Sequence, residues 1–325
     1  MNHPKRLMAI GSVLTLLTLL AAWGVMRLHQ AESFPSALNY RVDDLPKASA
    51  PSPTHYPIDA LQRYTVTLAT GDEYALHVAR YHDAAQQEAS AIVFVPEAGQ
   101  AEAKRREAWQ HAAQAIVQHT EPEDLFLAWW DNSQRIELFT GRRVWNKQPS
   151  AANWSDTEQA VWRELAGGFA TDETAARQLA KWLAMPANEA LADMARFFDK
   201  QRAVYLLVTA DDLARWPEVA RLTAPAPTFE SQAFQSNHDW HGLIKQVRRW
   251  ALSGATPSTY LLQPLEGLAV RAWRAVDPAS AASLWAEALP FVSIDEQTKQ
   301  EAPLTLVYQS PWAHYLSIYR LHARP

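Results

Sequence analysis

The sequence predicts an α/β protein: an N-terminal transmembrane helix, then a mostly parallel sheet flanked by helices, with antiparallel hairpins at its ends. Three observations predict it. Residues Leu7 to Met26 form one uncharged apolar run. Farther on, short continuous apolar runs alternate with helix-like stretches, the signature of strands covered on both faces. Period-two alternation appears instead near both ends of the remaining chain, where it marks hairpins.

The apolar run LMAIGSVLTLLTLLAAWGVM has the length of about 20 residues that a helix needs to cross a bilayer. Only Ser12, Thr15 and Thr18 interrupt it, and Lys5 and Arg6 precede it. The positive-inside rule then keeps residues 1–6 in the cytoplasm as a short tail. Residues 7–28 become the anchor of a single-pass bacterial inner-membrane protein, and the rest is exported to the periplasm. The competing reading is a cleaved signal peptide. The run is longer than a signal core, and His29 stands where a small residue is expected before a cut after Ala31.

Residues 29–60 are rich in Ala, Ser and Pro, with Pro35, Pro46, Pro51, Pro53 and Pro57. That composition predicts a stalk lifting the domain, residues 61–325, off the membrane. Within the domain, Arg63 to Tyr81 alternates on both sides of Thr70-Gly71-Asp72 and predicts a hairpin. AIVFV from Ala91 and DLFLAWW from Asp124 predict two adjacent strands, with a helix at Ala103 to Gln118 between them and another at Ser133 to Leu138 after them.

Asp156 to Lys200 predicts helices, with Ala176, Leu179, Ala180 and Leu183 on one face and a capping-box pattern starting at Thr171. A second helix, Asn188 to Phe198, leads to a third buried strand at Ala203 to Thr209. Asp211-Asp212 opens a helix that Pro217 breaks or kinks. A helix at Leu243 to Leu252 precedes a fourth strand at Ser258 to Gln263. Asp277-Pro278 starts a helix over Ala279 to Leu289. Leu304 to Gln309 and Tyr315 to Leu321 predict a terminal antiparallel pair.

Composition limits the chemistry. The 325 residues carry a net charge of −5 and no basic cluster after the anchor that would hold nucleic acid. With no cysteine, disulfides, thiolate metal sites, iron–sulfur clusters and covalent c-type haem attachment are excluded, and no cofactor is predicted. The 14 Trp are the unusual feature, because indoles dominate core and interface energetics.

The sharpest motif is Trp129-Trp130-Asp131-Asn132-Ser133-Gln134-Arg135, at the junction of a strand and a helix. In α/β sheets that junction borders the ligand crevice. Trp129 and Trp130 offer stacking faces, Asp131, Asn132 and Gln134 hydrogen-bonding groups, and Arg135 an anion contact. The plainer reading makes Asp131 or Asn132 an N-cap and lets both indoles pack. His238 and His241 have a spacing that suits metal ligation, but no third ligand is signalled, and a solvated helix start explains them equally. Gly167-Gly168 reads as a helix terminus and Asp211-Asp212 as capping residues. No motif names a reaction, so an enzyme is not the favoured reading.

The order of anchor, LFLAWWDNSQRIELFTGRRVW, GGFATDETAARQLAKWL and YLLVTADDLAR resembles the HaoB family of hydroxylamine oxidation proteins. Genes of that family neighbour those of the multihaem hydroxylamine oxidoreductase in ammonia- and methane-oxidising bacteria. The resemblance implies a membrane-anchored accessory protein that assists or docks a periplasmic multihaem oxidoreductase. Trp129-Trp130-Asp131 before a helix is also similar to the W-W-D-Y-G motif in the soluble domain of oligosaccharyltransferase catalytic subunits. That likeness implies a ligand- or peptide-binding module, although Asn132-Ser133 replaces Tyr-Gly and the catalytic membrane helices are missing. A cell-envelope structural protein is the third alternative.

Overall fold

The computed structural model describes residues 37–68, 73–95, 98–235, 239–254, 259–267, 269–294 and 304–321. The predicted tail and anchor lie outside the described residues. Among those described, no helix is long and apolar enough to cross a membrane.

The domain is mixed α/β, but its sheets are mostly antiparallel, which corrects the expected parallel sheet. The first sheet is a meander of β1 (Ala37–Leu45), β2 (Ile58–Leu68), β3 (Glu73–His82) and β4 (Glu88–Val93), antiparallel throughout. β2 and β3 are the predicted hairpin; its turn lies outside the described residues. β4 carries the first three residues of the AIVFV run, yet it pairs with β3 and not with the strand of DLFLAWW. A continuous apolar run reports burial on both faces and says nothing of direction. Here Ile92 belongs to the principal core, while Ala91 and Val93 feed a second cluster with Leu61, Tyr81 and Leu138.

The part of the expected stalk that lies among the described residues, 37–60, packs on the domain instead of standing clear of it. Residues 37–45 form β1, paired with β2 from Ala37↔Leu68 to Leu45↔Leu61. The prolines that follow prevent regular structure without preventing packing: Pro51 is buried, Ala50 and Tyr56 pack on the second cluster, and His55 N–H donates to Leu138 O at 2.9 Å.

Helix α1 (Gln100–His119) leads to β5 (Leu125–Leu127), α2 (Trp130–Thr140) and β6 (Arg143–Val144). Three helices, α3 (Asp156–Ala166), α4 (Thr174–Ala184) and α5 (Ala187–Phe197), precede β7 (Val204–Thr209). The face predicted for α4 is buried as expected. Its start is different: Glu173 is the N-cap, and Asp172, not Thr171, accepts the Thr174 N–H at 2.9 Å. The capping-box residues of this region are Ser155 and Glu158 at the start of α3.

β7 sits at the centre of a mixed sheet with strand order β12-β13-β7-β5-β6. Only β5 with β6 and β5 with β7 run parallel. The predicted terminal pair, β12 (Thr305–Gln309) and β13 (Leu316–Leu321), extends this sheet antiparallel to β7.

After β7 a 3₁₀ turn, Ala210–Arg215, runs into α6 (Trp216–Leu222). Pro217 therefore starts an α-helix instead of breaking one, since the first turn has no use for its missing N–H. A third, antiparallel sheet, ordered β11-β9-β10-β8, comprises β8 (Phe229–Gln235), β9 (Thr259–Pro264), β10 (Ala269–Ala275) and β11 (Val292–Ser293). The strand at Ser258 to Gln263 thus belongs to a separate sheet. Helix α7 (Trp240–Leu252) packs on it through Leu243, Val247 and Ala251. The helix predicted over Ala279 to Leu289 is two short ones, α8 (Pro278–Ala281) and α9 (Leu284–Ala288). Glu266, in the β9–β10 turn, caps α1 by accepting the Gln100 and Ala101 N–H groups at 2.9 and 3.0 Å.

Candidate functional site

The predicted motif lies where β5 gives way to α2, and the structure brings its residues together inside the protein. A helix with polar and apolar residues on all sides normally lies at a surface. Here every residue of α2 except Glu137 is buried. Trp129 is the N-cap residue, and Gly141 closes the helix in the left-handed conformation at φ 65°. Asp131 and Asn132 therefore do not cap it.

Most polar side chains on α2 reach beyond the helix, while Thr140 Oγ1 donates back to Ile136 O at 2.6 Å. Arg135 Nε donates to Ile92 O on β4 at 2.8 Å, and its Nη1 donates to Asn132 Oδ1 at 2.6 Å and meets Asp131 Oδ2 at 3.3 Å. Its guanidinium also lies over Phe94 and Trp109, 4.7 and 5.5 Å from the ring centroids. Gln134 Nε2 donates to Lys147 O and Ala166 O, both at 3.0 Å. Ser133 Oγ donates to Ala128 O.

The indoles converge on α6. Trp129 and Trp130 each donate Nε1–H to Glu218 Oε2 at 3.0 Å. Arg215 holds the other oxygen of Glu218 at 3.1 Å and approaches Asp131 at 3.7 Å. The same guanidinium lies over Trp130 and Trp162, and Trp162 stacks on Trp154 with centroids 4.1 Å apart. Burial works against the Arg215 charge, but Glu218 and Asp131 outweigh it and raise its affinity for the proton.

A second acidic residue completes the arrangement. Asp212 accepts Asn132 Nδ2–H at 2.7 Å, Thr209 N–H at 2.8 Å and Thr209 Oγ1–H at 3.0 Å. Burial, with the Asp131 charge next, pushes its carboxyl up to about 7. Its neighbour Asp211 behaves oppositely. Burial would raise it, but the Arg105 guanidinium, at 2.8 and 3.0 Å, prevails together with Gln263 and Tyr315, and Asp211 is held at about 2. The sequence predicts capping roles for both aspartates. Asp212 does accept the Thr209 N–H at the start of the 3₁₀ turn, whereas Asp211 ties α1 to β9 and to Tyr315, the residue before β13.

The geometry makes a charged strut that locks α2 to β4, β7 and α6. Trp129, Trp130, Asp131, Asn132, Gln134 and Arg135 are all under 7% exposed, so none presents a face to a ligand in this conformation. The same enclosure applies to the segment similar to the oligosaccharyltransferase motif. Against Trp129, Ala128, Asp212 and Trp285 there is only a void of about 10 Å³, room for about one water.

Of the predicted histidines, His241 is exposed near the start of α7 and His238 lies outside the described residues. Among the described residues no group of three or more His, Asp or Glu is placed to hold a metal. Gly167 ends α3 at φ 72°, as its reading as a helix terminus requires. The sequence reading missed Arg215, Glu218 and Arg105. The available signal was a basic and an acidic residue at i and i+3 around Trp216-Pro217, at the start of a helix.

Fold and site together define a mixed α/β domain organised around one enclosed helix, whose charged groups serve tertiary contacts. The family described as HaoA-associated protein HaoB matches residues 3–321, and the chain belongs to that family. No curated protein matches the chain.

Proposed function

We propose that this protein is a single-pass inner-membrane protein whose periplasmic domain docks HaoA, the multihaem hydroxylamine oxidoreductase of nitrification, and carries no cofactor of its own. The observation that carries the reading is the family match across residues 3–321, whose description names association with HaoA. The uncharged run from Leu7 to Met26, with Lys5 and Arg6 before it, supports the anchor and its orientation. The enclosed charged strut supports a rigid body, which a docking protein needs so that binding does not also have to order its surface.

The test is co-purification. The full chain, tagged and co-expressed with HaoA, is solubilised from membranes and recovered, and haem absorbance is read in the eluate. Haem protein eluting with the chain supports the reading, and full recovery of the chain free of haem overturns it. Alkaline phosphatase fused to the C-terminus tests the orientation: it is active only if the domain lies in the periplasm.

A further inference from the structure

We infer that the end of the first sheet where β1 begins rests on the bilayer that holds the anchor, with Tyr40, Val42 and Tyr74 at the lipid interface. The assignment rests on the anchor proposed above. β1 is the edge strand of the meander, and its register runs Tyr40↔Val66↔Tyr74 and, two residues on, Val42↔Tyr64↔Leu76. Side chains in these two rows share one face of the sheet. On the middle strand Val66 and Tyr64 are buried in the principal core. On the flanking strands Tyr40 and Val42 are 39% exposed and Tyr74 41%.

Among the described residues the other exposed large apolar side chains lie on or beside different elements, or at opposite ends of α7. Apolar residues scattered singly are ordinary, but three on one sheet face call for an occupant. The face is also held in shape: Tyr40 stacks on Tyr64 with centroids 6.0 Å apart and planes at 23°. Little side-chain freedom is left to lose on contact.

The length of the chain selects the occupant. Because residues 37–60 pack on the domain, only residues 29–36 separate the anchor, residues 7–28, from β1. That segment spans at most about 30 Å. β1 starts at Ala37, opposite Leu68, at the end of the sheet where β2 passes to β3. Tyr40 lies only about 10 Å farther along the strand. The anchor therefore brings this end to the membrane, and not the end where Leu45 meets Leu61 and His82 meets Glu88. Within that reach any contact is intramolecular, so a weak one suffices.

The residue types agree. Tyrosine concentrates at the level of lipid headgroups, where its ring is buried and its hydroxyl stays wet. Asp44, next on the same face of β1, is exposed, accepts from Gln62 Nε2 at 3.2 Å and stands farther from the anchor. Arg41, on the opposite face, is paired with Asp43. The contact is apolar and needs no anionic lipid.

Since the chain has no cysteine, one introduced thiol carries the only label. Full-length Val42→Cys and Glu88→Cys, each bearing a nitrobenzoxadiazole fluorophore, are reconstituted into phosphatidylcholine vesicles with and without phosphatidylglycerol, and brominated lipid serves as quencher. At position 42 the emission is expected to shift to the blue and to be quenched in both membranes. At position 88, at the opposite end of the sheet, neither is expected. Adding Tyr40→Ser/Tyr74→Ser to Val42→Cys should abolish the quenching with the circular dichroism unchanged; quenching that persists in full overturns the role of the tyrosines. Water-like emission at both positions, in chains that resist alkaline carbonate extraction, overturns the assignment and leaves the anchor standing. Release of the chain by carbonate overturns the anchor and the assignment with it. A blue shift at position 42 that bromolipid does not quench, and that appears only with added HaoA or with rising chain density, assigns the face to HaoA or to a second copy and overturns the proposal.

Discussion

Trp129 and Trp130, adjacent in the chain, aim their indole N–H groups at one oxygen, Glu218 Oε2, each at 3.0 Å. Two large side chains, the N-cap residue and the first residue of α2, are thus fixed by one carboxylate on α6. Arg215 neutralises that carboxylate from the far side at 3.1 Å.

Glu218→Ala should therefore be among the most damaging substitutions in the domain. It strands two buried indole donors and leaves the buried Arg215 with only Asp131 at 3.7 Å. A loss of about 3–5 kcal/mol is expected, read as a lowered urea midpoint. Glu218→Gln keeps the acceptor and the shape, and should cost less. Equal midpoints for the two variants would show that the charge, not the acceptor, is what matters.

Asp212 gives the domain a pH dependence with a definite sign. Its folded-state pKa is raised to about 7 from an ordinary 3.8, so the folded protein holds a proton that the unfolded chain has released. Its contribution is most favourable at and below about pH 4 and is lost as pH rises toward 7. The slope in that window is at most about 1.4 kcal/mol per pH unit. Asp212→Asn should flatten this part of the profile, measured as thermal midpoint against pH. A profile identical to that of the unaltered protein would show that Asp212 titrates normally.

Asp211 predicts the reverse. Its pKa is held down to about 2, so the stability it supplies is complete above pH 4 and is lost as pH falls through 2. Asp211→Asn should cost about 2–3 kcal/mol at neutral pH, because Arg105 loses a two-point partner. The cost should vanish in strong acid.

Arg135→Lys tests whether α2 is held by charge alone. Lysine keeps the charge beside Asp131 but loses the fork that joins Ile92 O to Asn132 Oδ1, and the stacking over Phe94. A destabilisation of about 2 kcal/mol is expected in urea. Hydrogen exchange should quicken along β4, whose Ile92 carbonyl Arg135 holds.

At Gly141 the left-handed backbone and the His55 ring, which an added Cβ would strike, both forbid a side chain. Gly141→Ala should cost about 1–2 kcal/mol. Gly141→Ala in a His55→Ala background should recover the steric part and leave the backbone part, read from the two midpoints.

The sequence by itself determined the elements whose pattern is local. Alternation around Thr70-Gly71-Asp72 placed the hairpin of β2 and β3, and alternation near the C-terminus placed β12 and β13. The buried face of α4, the helix at Leu243 to Leu252 and the strand at Val204–Thr209 were legible because side-chain period and burial are properties of a single segment. The motif at Trp129 to Arg135 was legible as unusual for the same reason.

Tertiary structure alone decided how those pieces pair and what the motif does. The apolar run at Ala91 joined β3 antiparallel because two cores, one on each face of the first sheet, bury it as fully as a parallel neighbour would. Ala37–Leu45 became a strand because β2 offered it an edge, which composition does not record. Trp129, Trp130 and Arg135 turned inward because Glu218, Arg215 and Ile92 O, distant in the chain, supply the partners that a buried indole or guanidinium needs. Whether a polar side chain faces a ligand or a neighbouring helix depends on where its counter-group arrives, and only the folded chain fixes that.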